Sequence, residues 1–77
     1  MITRITLDML TETGVSVKTQ KYIEDGGVEY AVGEPHRRAY VNSERGRAEI
    51  AANLQEPYLS AVMAVWGDSA KVIEGEV

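Results

Sequence analysis

The sequence predicts a small α+β domain, in which an antiparallel β-meander of two or three strands precedes two helices packed on one face of the sheet. Residues 15–32 alternate between polar and apolar side chains around an Asp-Gly-Gly turn, as β-hairpins do. Between Pro57 and Trp66 only Ser60 is polar, so a helix there would be apolar on every side and belongs in the interior. Strands followed by helices in so short a chain indicate one sheet covered by helices.

The composition is that of one globular domain. The chain has 77 residues, 44% of them hydrophobic and 26% charged, and we expect a single domain over residues 1–68 with a flexible acidic tail over 69–77. There is no cysteine, which excludes disulfides and thiolate metal sites and suits a reducing compartment. The longest apolar run, Ala61–Trp66, is too short to cross a membrane, and the first residues lack the apolar segment of a signal peptide. These features predict a cytoplasmic protein that makes no membrane contact.

The first fourteen residues fit two structures, since Ile5, Leu7 and Met9 alternate as in a strand while Ile2, Ile5, Met9 and Leu10 also fit one face of a helix. The β-branched residues among the first six favour a strand. Residues 8–13 also suit a single helical turn closed by Gly14 in a left-handed conformation. We expect a strand followed by this turn.

The hairpin admits two registers. An Asp25-Gly26 loop pairs Ile23 with Val28, whereas a Gly26-Gly27 loop sets Glu24 directly against Glu29. Like charges that face each other across a strand pair are unfavourable, so the Asp25-Gly26 register is predicted. The predicted core face of the hairpin consists of Val15, Val17, Ile23, Val28, Tyr30 and Val32.

A break is predicted after the second hairpin strand. Gly33-Glu34-Pro35-His36 is typical of a turn, and Pro35 suits the second position of a tight turn from Glu34 to Arg37. Residues 37–41 would then return as the third strand of the meander.

Two helices complete the predicted fold. Asn42-Ser43 provides capping side chains and Glu44 an acid in the first turn, so a helix should begin here and run through Leu54. Gly46 in its first turn indicates a close approach to a neighbouring element. Pro57 cannot continue that helix but fits the first position of the next one, which Gly67 ends.

Residues for catalysis or metal binding are not combined in any known pattern. His36 is the only histidine, and no serine lies in a nucleophile-elbow motif. The glycines do not have the spacing of a phosphate-binding loop, and no calcium-loop motif occurs. The sequence therefore predicts a protein that is not an enzyme and carries neither cofactor nor metal.

A cluster of arginines is the feature most suggestive of binding. Four arginines lie within residues 36–47, where Glu44 is the only acid, although the whole chain has a net charge of −4. Near a helix N-terminus such groups can bind phosphate or the carboxylates of a partner. The alternative, which we favour, is that they neutralise nearby glutamates on a solvated surface. Tyr22 adds a large aromatic on the outer face of the hairpin, where it would anchor an interface or cover a lysine stem. The candidate interaction residues are Tyr22, His36, Arg37, Arg38, Arg45 and Arg47.

Two segments carry a resemblance to a known group of proteins. HRRAYVNSERGRAEIAANLQEPYLSAVMAVWGD, from His36 to Asp68, and ITLDMLTETGVSV near the start resemble short uncharacterised open reading frames of phages and prophages of Gram-positive bacteria. The AYVNS and EPYLSAV…VWGD portions carry the likeness most clearly. The resemblance implies a phage or mobile-element setting within a bacterial host cell, and it implies no mechanism.

The function predicted from the sequence is therefore that of a non-enzymatic protein-interaction module. Its partner would be a phage assembly component or a host factor, with self-association as a further option. Two alternatives are nucleic-acid contact through the arginine cluster and, in the opposite electrostatic sense, inhibition of a host defence enzyme by an acidic surface.

Overall fold

The computed structural model describes residues 1–74. Three strands come first: β1 (Ile2–Thr11), β2 (Gly14–Asp25) and β3 (Val28–Val41), which form one antiparallel sheet in the order β1-β2-β3. Two helices follow, α1 (Glu44–Asn53) and α2 (Tyr58–Trp66). The predicted α+β fold, a β-meander followed by two helices, is confirmed, and the meander has three strands.

Strand β1 is longer than predicted. It continues to Thr11, so the helical turn expected over residues 8–13 is wrong. Residues 2–8 pair in regular register with β2, and the pairing resumes between Thr11 and Gly14 after a bulge. Met9 lies in this bulge with φ 52°. The partner strand offers backbone hydrogen bonds along almost the whole segment, and these outweigh the local preference for a turn.

The loop between β2 and β3 is Gly26-Gly27, one residue later than predicted, so each residue of β2 pairs with a residue two positions further along β3 than expected. Ile23 faces Tyr30, and Glu24 faces Glu29. Both loop residues have positive φ, 61° and 82°, as a two-residue hairpin loop requires, and glycine adopts this conformation without strain. The charge repulsion at Glu29 is offset because Arg4 of β1 binds its carboxylate with two hydrogen bonds, and this contact raises the pKa of the Arg4 guanidinium.

Strand β3 contains a bulge where a turn was predicted. The strand continues past residues 33–35, which lie opposite the single residue Gln20, and the tight turn from Glu34 to Arg37 does not form. The prediction that residues 37–41 return as a separate third strand is therefore wrong, because they continue β3 and pair with β2, and β1 completes the meander. The Gln20 side-chain amide donates to the carbonyl oxygens of Val32 and Gly33, at 3.2 and 3.3 Å. Pro35 is tolerated because β3 is an edge strand, whose outer N–H groups have no partner strand.

The start of α1 is as predicted. Ser43 caps the helix by accepting a hydrogen bond from the Gly46 amide at 2.9 Å. A β-carbon on Gly46 would lie 1.8 Å from the carbonyl oxygen of Val41, so the predicted close approach is confirmed. Pro57 directly precedes α2 instead of occupying its first position, and Gly67, at φ 79°, ends the helix as expected.

The core lies under the two helices at one end of the sheet. Trp66 is fully buried, which confirms its predicted place in the interior. The expectation that α2 is buried on every side is wrong, because the sheet covers only one side of the helix and Ala61, Ala64 and Val65 are exposed. The buried apolar residues are Val15, Val17, Tyr40, Ile50, Leu54, Val62 and Trp66, with Tyr58 partly buried against them. Four members of the predicted core face, Ile23, Val28, Tyr30 and Val32, are instead exposed, because the helices do not reach them.

Asn42 makes hydrogen bonds to three segments at this end of the molecule. Its side chain is fully buried, donates to the carbonyl oxygen of Glu12 at 2.7 Å and accepts from the Arg47 guanidinium at 2.9 Å. Its backbone carbonyl accepts from the amides of Lys71 and Val72. The turn after β1, helix α1 and residues 69–74 are therefore joined at one residue. The last three residues of the predicted tail, 75–77, lie outside the described residues.

Candidate functional site

An exposed apolar surface covers the outer half of the β2–β3 hairpin. Paired residues of adjacent strands project to the same side of a sheet, and the register places Ile23 opposite Tyr30, Val28 opposite Asp25, and Val32 opposite Lys21. All of these lie on the side that carries Val15 and Val17, which we call the helix side. The apolar members form what we call the hairpin face, with exposed fractions of 45% for Ile23, 51% for Val28, 52% for Tyr30 and 39% for Val32.

The hairpin face is exposed because the sheet is longer than the helices that cover it. The fourteen residues of β3 span about 46 Å at the usual strand rise, while helices of ten and nine residues span about 15 Å and 14 Å. The molecule is accordingly elongated, with extents of 52 × 24 × 20 Å. This surface could not be found in the sequence, because apolar alternation shows which side of a strand is apolar but not how much of that side the helices cover.

Two charged residues flank the hairpin face on the helix side. Lys21 lies toward the helices and Asp25 lies beside the loop, four residues further along β2, and both are exposed. Four residues of strand separate their Cα atoms by about 13 Å. Neither residue takes part in an ion pair within residues 1–74. The face is therefore bordered by a free cation at one end and a free anion at the other.

Tyr22 lies on the opposite side of the sheet from this surface, and His36 lies on the same side but beyond its Lys21 end. Tyr22 projects to the opposite side of the sheet, where it is half-buried and the Arg4 guanidinium carbon lies 5.9 Å from its ring centroid. This geometry is that of an aromatic covered by a cation within the same chain. His36 is exposed on the helix side, opposite Thr19, between the hairpin face and Arg38.

The four candidate arginines are distributed over different surfaces. Arg37 points to the side opposite the helices, 3.8 Å from Asp8, and Arg38 lies on the helix side, where it binds Glu49 at 2.9 Å and lies over Tyr40. Arg45 pairs with Glu49 at 3.4 Å.

Arg47 donates to the Asn42 side chain and to the carbonyl oxygen of Gly67 at 2.8 Å. Each of the four arginines therefore has an acceptor within the chain, a carboxylate for Arg37, Arg38 and Arg45 and uncharged oxygens for Arg47.

A groove of about 320 Å³ lies between the start of α1 and residues 70–74. This is where an anion would be expected to bind, because the helix N-terminus, Ser43 and Arg45 all face it. The carboxylate of Glu74 occupies the position, accepting from the Ser43 hydroxyl and from Arg45, the latter at 2.8 Å. The anion at this helix end is thus supplied by the chain itself.

No three histidine, aspartate or glutamate side chains of residues 1–74 lie close enough together to hold a metal ion. None of the helices in this part of the chain combines the length and apolar character needed to span a bilayer.

Comparison of the chain with protein-family models, with curated proteins and with solved structures found no match. The resemblance to phage and prophage reading frames therefore stays a prediction.

Proposed function

We propose that this chain is a non-enzymatic protein-interaction module that contacts another protein through the hairpin face. The observation that carries the proposal is the exposure of four large apolar side chains next to one another, outside the reach of the helices. Together they present on the order of 300 Å² of apolar surface, a size that on monomeric proteins often marks a binding site. An isolated exposed valine would need no such explanation, whereas a contiguous group does.

The composition of the hairpin face indicates what it would bind. Tyr30 lies in the middle, and tyrosine is among the residues that contribute most at protein interfaces. Valine and isoleucine surround it, with Lys21 and Asp25 at the border. A complementary surface would be apolar in the centre and would carry one acidic and one basic group at its rim.

The arrangement of the arginines disfavours nucleic-acid contact. Binding to a phosphate backbone would require several guanidinium groups on one surface, with their charge available to the ligand. Here Arg37 and Arg38 project from opposite sides of the sheet, and all four arginines have partners within the chain. The resemblance of the sequence to phage reading frames supports a setting in which the partner is a phage component or a host protein.

The proposal is tested by comparing capture of partners by variants of the hairpin face. Tyr30→Ser should abolish capture of a partner, whether that partner is a protein of the host lysate or an untagged second copy of this chain added to it. Rebinding of the purified partner should show the same loss. Val65→Ser is the matched control, because Val65 is an exposed apolar residue on α2, 42% exposed, away from the hairpin. Tyr22→Ser tests the opposite side of the sheet and should leave capture unchanged. Equal capture by wild type and Tyr30→Ser, with both folded by circular dichroism, would refute the proposal.

A further inference from the structure

The hairpin face has an approximate internal symmetry. The Ile23–Tyr30 pair lies at its centre. The pair Lys21–Val32 lies two residues along the strands in one direction, and the pair Asp25–Val28 lies two residues along them in the other. At about 3.3 Å per residue each flanking pair lies roughly 7 Å from the centre. Each flank thus presents one valine on β3 and one charge on β2, and the two charges have opposite sign.

We infer that a second copy of this chain covers the hairpin face, related to the first by a two-fold axis that crosses the strands at the Ile23–Tyr30 pair. This inference rests on the proposed function and names its partner. Rotation about such an axis lays one face on the other with strand directions reversed. Lys21 of each copy then meets Asp25 of the other, and Val28 of each copy meets Val32 of the other. Ile23 and Tyr30 each meet their own counterpart, as residues on the axis of an isologous interface do.

The charges distinguish this arrangement from other occupants. A two-fold axis along the strands would gather both Lys21 side chains at one end of the interface and both Asp25 side chains at the other. The reversed arrangement instead pairs opposite charges at both ends. Within residues 1–74 neither Lys21 nor Asp25 has an ion-pair partner of its own. A second copy supplies a partner for both at once, which a partner with one uniform charge would not.

The space above the hairpin face suits a second hairpin. Two sheets pack face to face at about 10 Å, so the second hairpin would form a layer over the exposed half of the sheet. In this copy α1 and α2 cover the other half of the same side, over Val15 and Val17. Because the strand directions are reversed, the helices of the second copy would lie beyond the Gly26-Gly27 loop of the first. The two helix pairs therefore do not compete for space.

The size of the interface predicts weak association. Stable complexes bury about 800 Å² per partner, and a five-residue length of two strands supplies roughly half of that. We therefore expect a reversible dimer that forms in the range of tens to hundreds of micromolar.

Sedimentation equilibrium from about 1 µM to 1 mM tests the inference, because the mass should rise from 8.5 kDa toward twice that value. Tyr30→Ser should weaken association more than about 30-fold, since two copies of the side chain meet at the centre. Lys21→Glu and Asp25→Lys should each weaken it about tenfold, because each creates two like-charge contacts. The double variant Lys21→Glu/Asp25→Lys should restore it to near the wild-type value. Val65→Ser is the control and should dimerise as wild type does.

The outcomes separate this inference from the proposed function. A dimer whose charge-reversal variants are not rescued by the double variant would refute the reversed arrangement. If wild type stays monomeric to 1 mM while Tyr30→Ser still abolishes capture of a host protein, the second copy is refuted and the proposed function stands. If wild type is monomeric and Tyr30→Ser changes no capture, both are refuted.

Discussion

Replacing Gly46 by alanine should destabilise the protein, although alanine is the better helix former. On an exposed helical surface the change would stabilise by about 1 kcal/mol. Here the new β-carbon would lie 1.8 Å from the Val41 carbonyl oxygen and 2.9 Å from its carbonyl carbon. Relief of this clash requires a shift of more than an ångström between α1 and the end of β3, and such overpacking costs about 1–3 kcal/mol or more. The same shift would disturb the hydrogen bond from the Gly46 amide to Ser43, worth about 1 kcal/mol.

We therefore expect Gly46→Ala to lose about 2–3 kcal/mol net, which in a domain of this size lowers Tm by about 10–20 °C. Thermal and urea unfolding followed by far-ultraviolet circular dichroism measures the loss. Ala48→Gly is the matched control, since Ala48 is exposed on the same helix and should lose only the propensity difference of about 1 kcal/mol. If Gly46→Ala unfolds at the wild-type temperature or above it, the close approach between α1 and β3 does not exist.

Two further predictions concern the buried end of the molecule. Asn42→Ala should lower the free energy of unfolding by about 3 kcal/mol in urea titrations, because it leaves the Glu12 carbonyl without its side-chain donor and removes one acceptor of the Arg47 guanidinium. A loss below about 1 kcal/mol would contradict this role. The fluorescence of Trp66 should be blue-shifted and several-fold less sensitive to acrylamide than free tryptophan, because the side chain is fully buried. Emission like that of hydrated indole in the folded protein would contradict the core arrangement.

Local sequence was sufficient for the helical end of the fold. Ser43 is followed three residues later by the amide that it caps, and Trp66 lies in the most apolar stretch of the chain. Both signals lie within a few residues of the structure they specify. Fold class and the burial of Trp66 could therefore be predicted.

The hairpin register could not be predicted from local sequence, because a distant residue alters the energy of one contact. The cost of opposing Glu24 and Glu29 is a fraction of a kcal/mol. Arg4, which lies 25 residues before Glu29, offsets that cost by binding its carboxylate. The positive φ required at both loop positions then favours Gly26-Gly27 over a loop that contains Asp25. The register is therefore set by conformational strain in the loop and not by the repulsion between two exposed carboxylates.

The continuation of β3 had a similar cause. Gly33 and Pro35 are typical of turns, yet the amide of Gln20 on the neighbouring strand satisfies carbonyl groups freed by the bulge. Once β3 is continuous, the sheet extends beyond the helices, and the hairpin face becomes exposed. The exposure of the hairpin face thus depends on the contact between Gln20 and β3, which the periodic pattern of apolar residues does not predict.

The placement of Asn42 has a consequence for how the protein opens. Its hydrogen bonds join segments at one end only, and none of them reaches the outer half of the hairpin. Backbone amides of residues 21–32 should therefore exchange with deuterium through local fraying, whereas those of Val15 and Val17 should exchange only through global unfolding. A protein bound to the hairpin would slow amide exchange most in residues 21–32. The least protected part of the chain is therefore also the part whose exchange reports binding most sensitively.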